Sequence, residues 1–228
     1  MKLKTKIMAL NLSVLILVGT MLFLQFRAAQ NKQKFEIRKG FSQVSEKLQR
    51  AVSTNFYLFY HNVQNFSLNG ALKNKDSEGS KFFFNELMSL YPLYDFILFV
   101  DKDGNLISSN DLSNDGKKLK IENLSTNFSE TTWFKALKEG KLVEDYEKKI
   151  YGSYFGPLLE SDISKALYGE SKRGNIFATS VSDDFGEVIG YLVSGVNENW
   201  ILHEIKGMNN SLKREGKENA HIWLLNNE

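Results

Sequence analysis

The longest predominantly apolar stretch of the chain lies close to its N-terminus. It covers residues 7–26 and contains no Asp, Glu, Lys or Arg. In a helix, about 20 residues at about 1.5 Å each extend about 30 Å, which matches the hydrocarbon thickness of a bilayer. The pattern therefore predicts a transmembrane helix over residues 7–26.

A cleaved signal peptide is the alternative interpretation, because residues 1–6 form a short basic leader with three lysines. Two features favour a retained anchor. The apolar stretch is longer than the core of about 7 to 15 residues that signal peptides have, and Phe26 or Arg27 stands where cleavage needs a small residue. The basic leader predicts a cytoplasmic N-terminus.

Apolar residues recur at helical spacing after this stretch, in steps of three and four positions. The segment 27–66 also has no Pro and only one Gly. The pattern predicts a long helix in a stalk-like segment, residues 27–70, which either pairs with a second copy as a dimeric coiled coil or docks on its own domain. The apolar positions are Phe41, Val44, Leu48, Val52, Phe56, Phe59, Val63 and Phe66.

Shorter helical patterns occur farther along the chain. A polar segment, residues 69–80, interrupts the first helix, and residues 82–91 predict a second helix that Pro92 ends. The remaining helical segments are residues 129–140, 162–168 and 198–216. The connection in residues 151–174 is rich in Gly and aromatic residues, and only its segment 162–168 has a helical pattern.

Strand-length apolar runs alternate with turn sequences in the second half of the chain. DFILFV, residues 95–100, is a continuous apolar run that predicts a strand covered on both faces. The turns DKDGN and DDFG predict two hairpins. The predicted strands cover residues 95–100, 106–109, 142–146, 175–182 and 187–197, and a further strand covers residues 221–225. The order predicts an α+β domain, residues 81–197, with an antiparallel sheet of about five strands and a ligand-sized cavity on one sheet face, followed by a connecting helix and strand in residues 198–228.

Composition narrows the function classes. The 228 residues include 29 basic and 27 acidic ones, so we expect no nucleic-acid partner. The chain has no Cys, and its three His residues are far apart, which argues against thiol chemistry and a histidine metal site. No phosphate-binding Gly motif or nucleophile elbow is present. We therefore expect no cofactor, no metal and no enzymatic activity.

One segment matches the spacing of a calcium-binding loop. Its candidate positions are Asp111, Ser113, Asp115, Gly116 and Glu122. Three lysines lie within the same segment, and the element before it is a predicted strand rather than a helix. These features favour a solvated loop over a calcium site.

Aromatic residues cluster in the connections around the predicted third strand. They would either line an apolar cavity with a few polar tips or pack in the core, and both interpretations stay open at this stage. The residues are Trp133, Phe134, Tyr146, Tyr151, Tyr154 and Phe155.

Three segments together resemble a known family. FVDKDGNLISSN, TTWFKALKEGK and IFATSVSDDFGEVIGYLVSGVNENW are similar to the extracytoplasmic Cache sensor domain of bacterial methyl-accepting chemotaxis receptors and related transmembrane receptors. The resemblance covers residues 95–200, and the preceding apolar stretch and long helix fit it. Its motifs are a D-x-D-G turn, a W-[YF]-x-x-A helix and a D-x-x-G-x-x-x-G hairpin.

The resemblance implies a PAS-like sheet that binds a small molecule. In amino-acid-binding members, an Arg two residues before the Trp holds the ligand carboxylate, and an Asp near the end of the last strand holds the amine. This chain has Thr131 at the first position and Ser194 or Gly195 near the second, which disfavours an α-amino acid ligand. Trp133, Phe134 and Tyr146 match pocket positions, so the predicted ligand-binding residues are Thr131, Trp133, Phe134, Tyr146 and Ser194.

These features predict a sensor module of a chemotaxis receptor, single-pass in the bacterial inner membrane, with its domain on the periplasmic side. Its expected partners are a small-molecule ligand, the membrane and a second copy bound through the long helix. The terminal AHIWLLNNE resembles the first strand of a second module, as in double-Cache receptors, so we expect the N-terminal part of a longer receptor. The alternatives are the sensor region of a histidine kinase or diguanylate cyclase, and an anchored structural protein with a vestigial pocket.

Overall fold

The computed structural model describes residues 3–145, 150–217 and 222, without the side chains of residues 3–12, 14, 145, 150 and 151. Tyr146, the predicted terminal strand apart from Ile222, and the first side chains of the predicted membrane span therefore lie outside the described parts. Contacts divide the chain into two compact units, Met1–Arg50 and Ala51–Glu228.

The described helices and strands follow one another in a fixed order along the chain. They are α1 (Leu3–Ser67), α2 (Gly70–Lys73), α3 (Ser77–Leu90), β1 (Tyr94–Asp101), β2 (Leu106–Ser109), a 3-10 turn (Ile121–Asn123), α4 (Thr132–Lys138), β3 (Val143–Asp145), β4 (Ile150–Phe155), β5 (Leu159–Ser161), α5 (Asp162–Tyr168), β6 (Lys172–Ser182), β7 (Val188–Asn197) and α6 (Asn199–Arg214).

The first unit consists of the N-terminal part of α1. This helix extends to Ser67 and so confirms the predicted helicity of residues 27–66. Among the residues that the structure describes, no helix has both the length and the apolar character that crossing a membrane requires.

The second unit is built on one antiparallel sheet. Seven described strands form it in the order β2-β1-β7-β6-β4-β3, and β5 pairs with β6 at one end. The α+β class and the antiparallel sheet are therefore confirmed, whereas the predicted number of about five strands was too low. The additional strands β4 and β5 lie in the connection that is rich in Gly. Gly152, which has φ 79°, and Pro157 are residue types typical of turns, so the sequence pattern there did not indicate strands.

Strand β1 is covered on both faces, as its apolar run predicts. Ile97 and Phe99 join the core on one face of the sheet, and Phe96, Leu98 and Val100 join the core on the other. Side chains that alternate between two buried faces need no polar positions, which explains the continuous apolar sequence.

Helices cover the two faces separately. The α1 face packs the end of α1, through Phe59 and Val63, together with α3 and α6 against the sheet. The α4 face packs α4, α5 and the loop after β2, through residues such as Phe134 and Leu167. The helical spacing in residues 51–67 therefore buries the end of α1 on its own domain.

The two predicted hairpins are confirmed, and their turns use the same hydrogen-bond pattern. Asp101 Oδ1 accepts from the backbone N–H groups of Asp103 and Asn105, both at 2.8 Å. Asp183 Oδ1 accepts from Phe185 and Glu187 in the same way, both at 2.9 Å. A carboxylate that accepts from the backbone two and four residues ahead stabilises each turn through local contacts.

The start of the second helix was predicted too late. Helix α3 begins at Ser77 rather than at residue 82, because the side chain of Asp76 accepts from the backbone N–H of Gly79 at 3.0 Å and caps the helix. The polar segment before it, predicted as a break, also contains α2. The predicted helix in residues 162–168 has the same bounds as α5.

Candidate functional site

A cavity of about 350 Å³ opens on the α4 face of the sheet. Its wall combines the segment that leads into α4, the end of β4, the β5 and α5 junction, the start of β6 and the end of β7. The lining residues in these segments are 130–133, 154, 156, 157, 159–163, 174–176, 195 and 196, and residue 95 of β1 joins them.

A strand irregularity places Asp95 in this wall. Tyr94 pairs with Val196 and Phe96 pairs with Gly195, so the register between β1 and β7 shifts across Asp95. The extra residue of such a bulge leaves the regular pairing and redirects its side chain. Asp95 is only 5% exposed although it carries a carboxylate.

The carboxylate of Asp95 has weak partners within the described chain. Asn197 Nδ2 donates to Oδ1 at 3.4 Å, and Lys172 Nζ lies 3.8 Å from the same oxygen. Burial raises the pKa of Asp95 above its ordinary value, and Lys172 and Asn197 oppose this effect only in part. The charged form of Asp95 is therefore costly in this structure.

Tyr168 lies beside this group and helps to hold the bulge. Its hydroxyl donates to the backbone carbonyl oxygen of Asp95 at 2.7 Å, and Lys172 Nζ lies 3.4 Å from the centre of its ring. Burial raises the pKa of Tyr168, so the hydroxyl keeps the proton that it donates. Lys172 is therefore directed toward a ring face as well as toward Asp95.

Two of the predicted aromatic residues line the cavity. Trp133 is 3% exposed, and the ring of Tyr154 is half-buried. Phe134 packs instead in the core of the α4 face, with its ring centre 5.3 Å from that of Tyr191. Phe155 packs on the α1 face, with its ring centre 4.3 Å from that of Phe56. The aromatic cluster thus divides between the cavity and both cores.

The other predicted site residues are also divided. Thr131 lines the cavity, and its hydroxyl donates to the carbonyl oxygen of Phe128 at 2.7 Å. Ser194 is fully buried, and its cross-strand partners Ile97 and Phe177 both belong to the core of the α1 face. Ser194 therefore lies on the opposite face of the sheet, and Tyr146 lies outside the described residues.

Gly195, the neighbour of Ser194, lines the cavity instead. A Cβ atom at Gly195 would overlap the ring of Phe96, which is its cross-strand partner and is 1% exposed. Because Gly195 has no side chain, the Phe96 ring can pack against its backbone, next to the cavity wall.

Asp95 was not among the site residues predicted from the sequence. The sequence feature that could have indicated it is the position of Asp95 at the start of an otherwise apolar strand, because a carboxylate there becomes buried in the sheet. An Asp at a turn or at the edge of a sheet would give the same sequence pattern without any binding site.

Carboxylates dominate the polar part of the wall. Asp95, Glu130, Glu160 and Asp162 line the cavity, and the last three side chains belong to exposed residues. Within the described residues, no group of three or more Asp, Glu or His side chains is placed to hold a metal ion, and this includes the segment that matches a calcium loop. The acidic wall is therefore an electrostatic feature without metal-site geometry.

Among known proteins, several solved structures are similar to this chain. No family model matches the chain, and no curated protein matches it. The similar structures include the sensor domain of the histidine kinase DctB from V. cholerae, with a TM-score of 0.47 and 13% identity over 73% of this chain and 58% of that one.

Two further similar structures have comparable scores. The periplasmic domain of LuxQ from Vibrio cholerae has a TM-score of 0.47 and 16% identity, over 74% of this chain and 70% of that one. The ligand-binding domain of the chemoreceptor CtaA from Pseudomonas fluorescens, in complex with L-serine, has a TM-score of 0.46 and 10% identity, over 70% and 59%. The chain spans less than two thirds of the DctB and CtaA domains. The three similar structures are a sensor domain, a periplasmic domain and a ligand-binding domain, respectively.

Proposed function

We propose that this chain is the sensor region of a membrane-anchored signal-transduction receptor, and that the cavity on its α4 face binds a small molecule outside the cytoplasm. The cavity is the observation that carries the proposal, because its volume of about 350 Å³ falls in the range of small-molecule sites. Its wall includes the buried Trp133 and the weakly paired carboxylate of Asp95. A buried charge that lowers stability favours a binding role.

The more specific part of the proposal concerns the type of signalling domain that the sensor controls. The two Asp turns and the Trp133 helix are the segments that resemble Cache domains, and this resemblance favours a chemotaxis receptor. The sensor region of a histidine kinase or diguanylate cyclase is the alternative, since the same sensing domain serves several outputs. Binding would act by shifting an equilibrium between two states of a dimer, which the long helix α1 transmits.

Anchoring and dimerisation rest on α1. The apolar stretch in residues 7–26 has the length of a membrane span, and its described part exposes large apolar side chains such as Leu15, Leu22 and Leu24. Phe41, which is 45% exposed, continues the helical spacing and would suit a second copy of the helix, whereas Val44 is already buried within the chain.

One preparation tests both points. The full chain, expressed in bacteria, is expected to stay in the membrane pellet after an alkaline wash. After extraction in mild detergent, it is expected to sediment as a dimer. Release of the chain by the wash would contradict the anchor, and a monomer at all concentrations would contradict the dimer.

Binding in the cavity can be followed through Trp133. We expect at least one member of a library of amino acids, organic acids, amines and purines to raise the Tm of the full chain saturably and to change its tryptophan fluorescence. Trp133→Phe should remove most of the fluorescence change, because Trp133 lines the cavity. Trp200→Phe is the matched control, since Trp200 is buried in the core of the α1 face, and it should keep the change.

Two results would count against this proposal. The first is the absence of any saturable stabilisation across the library. The second is a fluorescence response that survives in Trp133→Phe and disappears in Trp200→Phe, which would place the ligand away from the α4 face.

A further inference from the structure

The cavity wall carries charge of one sign. Its four acidic lining residues are Asp95, Glu130, Glu160 and Asp162, and no Lys, Arg or His lies among the described residues that line it. Like charges around a small cavity create a negative potential, because the low-dielectric wall screens them poorly. This arrangement would attract a cation and repel an anion.

Basic residues beside the lining carboxylates offset this charge only in part. Lys135 Nζ lies 2.7 Å from Glu130 Oε2, in a pair whose Glu130 side chain is 89% exposed. Lys172 Nζ lies 3.8 Å from Asp95 Oδ1 and also faces the ring of Tyr168. Arg173 is the cross-strand partner of Glu160, and its guanidinium lies 3.5 Å from Glu198 Oε2. The four lining carboxylates therefore still outnumber Lys135, Lys172 and Arg173.

Asp95 is the group that a cationic ligand would complete. Its contacts at 3.4 and 3.8 Å are longer than the distances of about 2.7 to 2.9 Å typical of charge-assisted hydrogen bonds. A ligand ammonium group about 2.7 to 2.9 Å from Asp95 would neutralise a carboxylate that the protein itself pairs only weakly.

The chemistry of the wall favours an organic cation over a metal ion. No described cluster of acidic side chains is placed to hold a metal. Trp133 and Tyr154 line the same cavity, and their ring faces attract ammonium groups. The apolar wall of Ile163 and Ile176 suits an alkyl chain.

A ligand carboxylate would lack a partner in this cavity. Thr131 occupies the place where the resemblance implies an Arg in amino-acid-binding members, and its hydroxyl already donates to Phe128. A carboxylate would therefore enter a negative potential without a charge-assisted hydrogen bond from the lining.

We propose that the cavity binds a small organic amine without a carboxylate, with one ammonium group at Asp95. The inference rests on the proposed sensor function and names its ligand class. The resemblance implies an amine-binding Asp near the end of the last strand, whereas here the bulge of β1 brings Asp95 next to the end of β7. The exposed carboxylates of Glu160 and Asp162 suit a second ammonium group, so a diamine binds more tightly than a monoamine.

Three compounds with a four-carbon skeleton test the charge requirement. Putrescine carries two ammonium groups, 4-aminobutanoate carries one ammonium and one carboxylate, and succinate carries two carboxylates. Isothermal titration calorimetry on the detergent-solubilised full chain should give the tightest binding for putrescine, weaker binding for 4-aminobutanoate and none for succinate. Butylamine separates the contribution of the second ammonium group and should bind between putrescine and 4-aminobutanoate.

Two variants locate the ammonium site. Asp95→Asn should weaken putrescine binding by about 30-fold or more, because it removes the buried partner of a charge pair. Glu122→Gln is the control, since Glu122 is exposed and does not line the cavity, and it should bind like the unaltered chain. Both variants are checked for folding by their Tm.

The possible outcomes separate this inference from the proposed function. Saturable binding of succinate with no binding of putrescine would overturn the amine inference and keep the sensor function. Unchanged putrescine affinity in Asp95→Asn would also overturn the inference. If no compound of this series or of the larger library binds, both proposals fail.

Discussion

A chain with Gly195→Ala is expected to lose about 2 to 3 kcal/mol of its free energy of unfolding, and to lose its ligand response as well. The added Cβ would overlap the ring of Phe96, and this ring is 1% exposed and packed in the core of the α4 face. Phe96 can relieve the overlap only by moving within a close-packed core. The same substitution adds volume to the cavity wall, because Gly195 lines it.

Urea denaturation and ligand titration of the same preparation measure both effects. Gly207→Ala provides the matched control, since Gly207 lies in α6 with nothing within 4 Å of its added Cβ. An exposed helical Gly→Ala change should raise the free energy of unfolding by about 0.5 to 1 kcal/mol. A Gly195→Ala chain as stable as the unaltered one would show that the close approach of Phe96 to Gly195 is not required.

Asp95→Asn is expected to stabilise the chain at neutral pH while it weakens ligand binding. The variant replaces a buried, weakly paired carboxylate by a neutral group of similar shape. Leaving a buried polar group poorly paired typically costs about 1 to 3 kcal/mol, so we expect a gain of about 1 kcal/mol or more at pH 7. A residue that lowers stability and supports binding is typical of a functional site.

The gain should depend on pH in a defined direction. Burial raises the folded-state pKa of Asp95 above its ordinary value of 3.8. Below pH 3.8 the carboxyl is protonated in both the folded and the unfolded state, and the two chains should be equally stable. As the pH rises through the folded-state pKa, the unaltered chain loses the stability that the protonated form contributed, so the advantage of Asp95→Asn grows and then levels off.

Denaturation curves between about pH 3.5 and 8 measure this difference. Glu160→Gln is the control, since its side chain is exposed and a surface substitution of this kind usually changes stability by less than about 0.5 kcal/mol. An advantage of Asp95→Asn that is the same at every pH would show that shape or hydrogen bonding, and not the buried charge, is responsible.

Elements with strong local signals could be predicted from the sequence. Strand β1 is continuously apolar from Phe96 to Val100, the two Asp turns fix their hairpins through neighbouring backbone groups, and α5 has a helical pattern with Gly169 at its end. Strands β4 and β5 could not be predicted in the same way. Their pairing with β6 supplies the stabilisation, and such long-range contacts leave little trace in local sequence.

The candidate site was predicted only in part, for a related reason. Trp133 and Thr131 were identified because their segment resembles the W-[YF]-x-x-A helix of Cache domains. Ser194 and Gly195 are adjacent, and a one-residue difference along a strand moves a side chain to the other face of the sheet. Sequence alone could not decide which of the two lines the cavity.

The sequence by itself determined the α+β class, the two hairpins, the long helix and the nearly neutral charge, because these depend on local patterns and composition. Tertiary structure decided the number of strands, the division of the aromatic residues among the cavity and two cores, and the position of Asp95. A bulge between β1 and β7 brings this carboxylate to a cavity wall shared with residues from α4 to β7. Only the pairing of distant strands creates that neighbourhood, and the charge of the cavity follows from it.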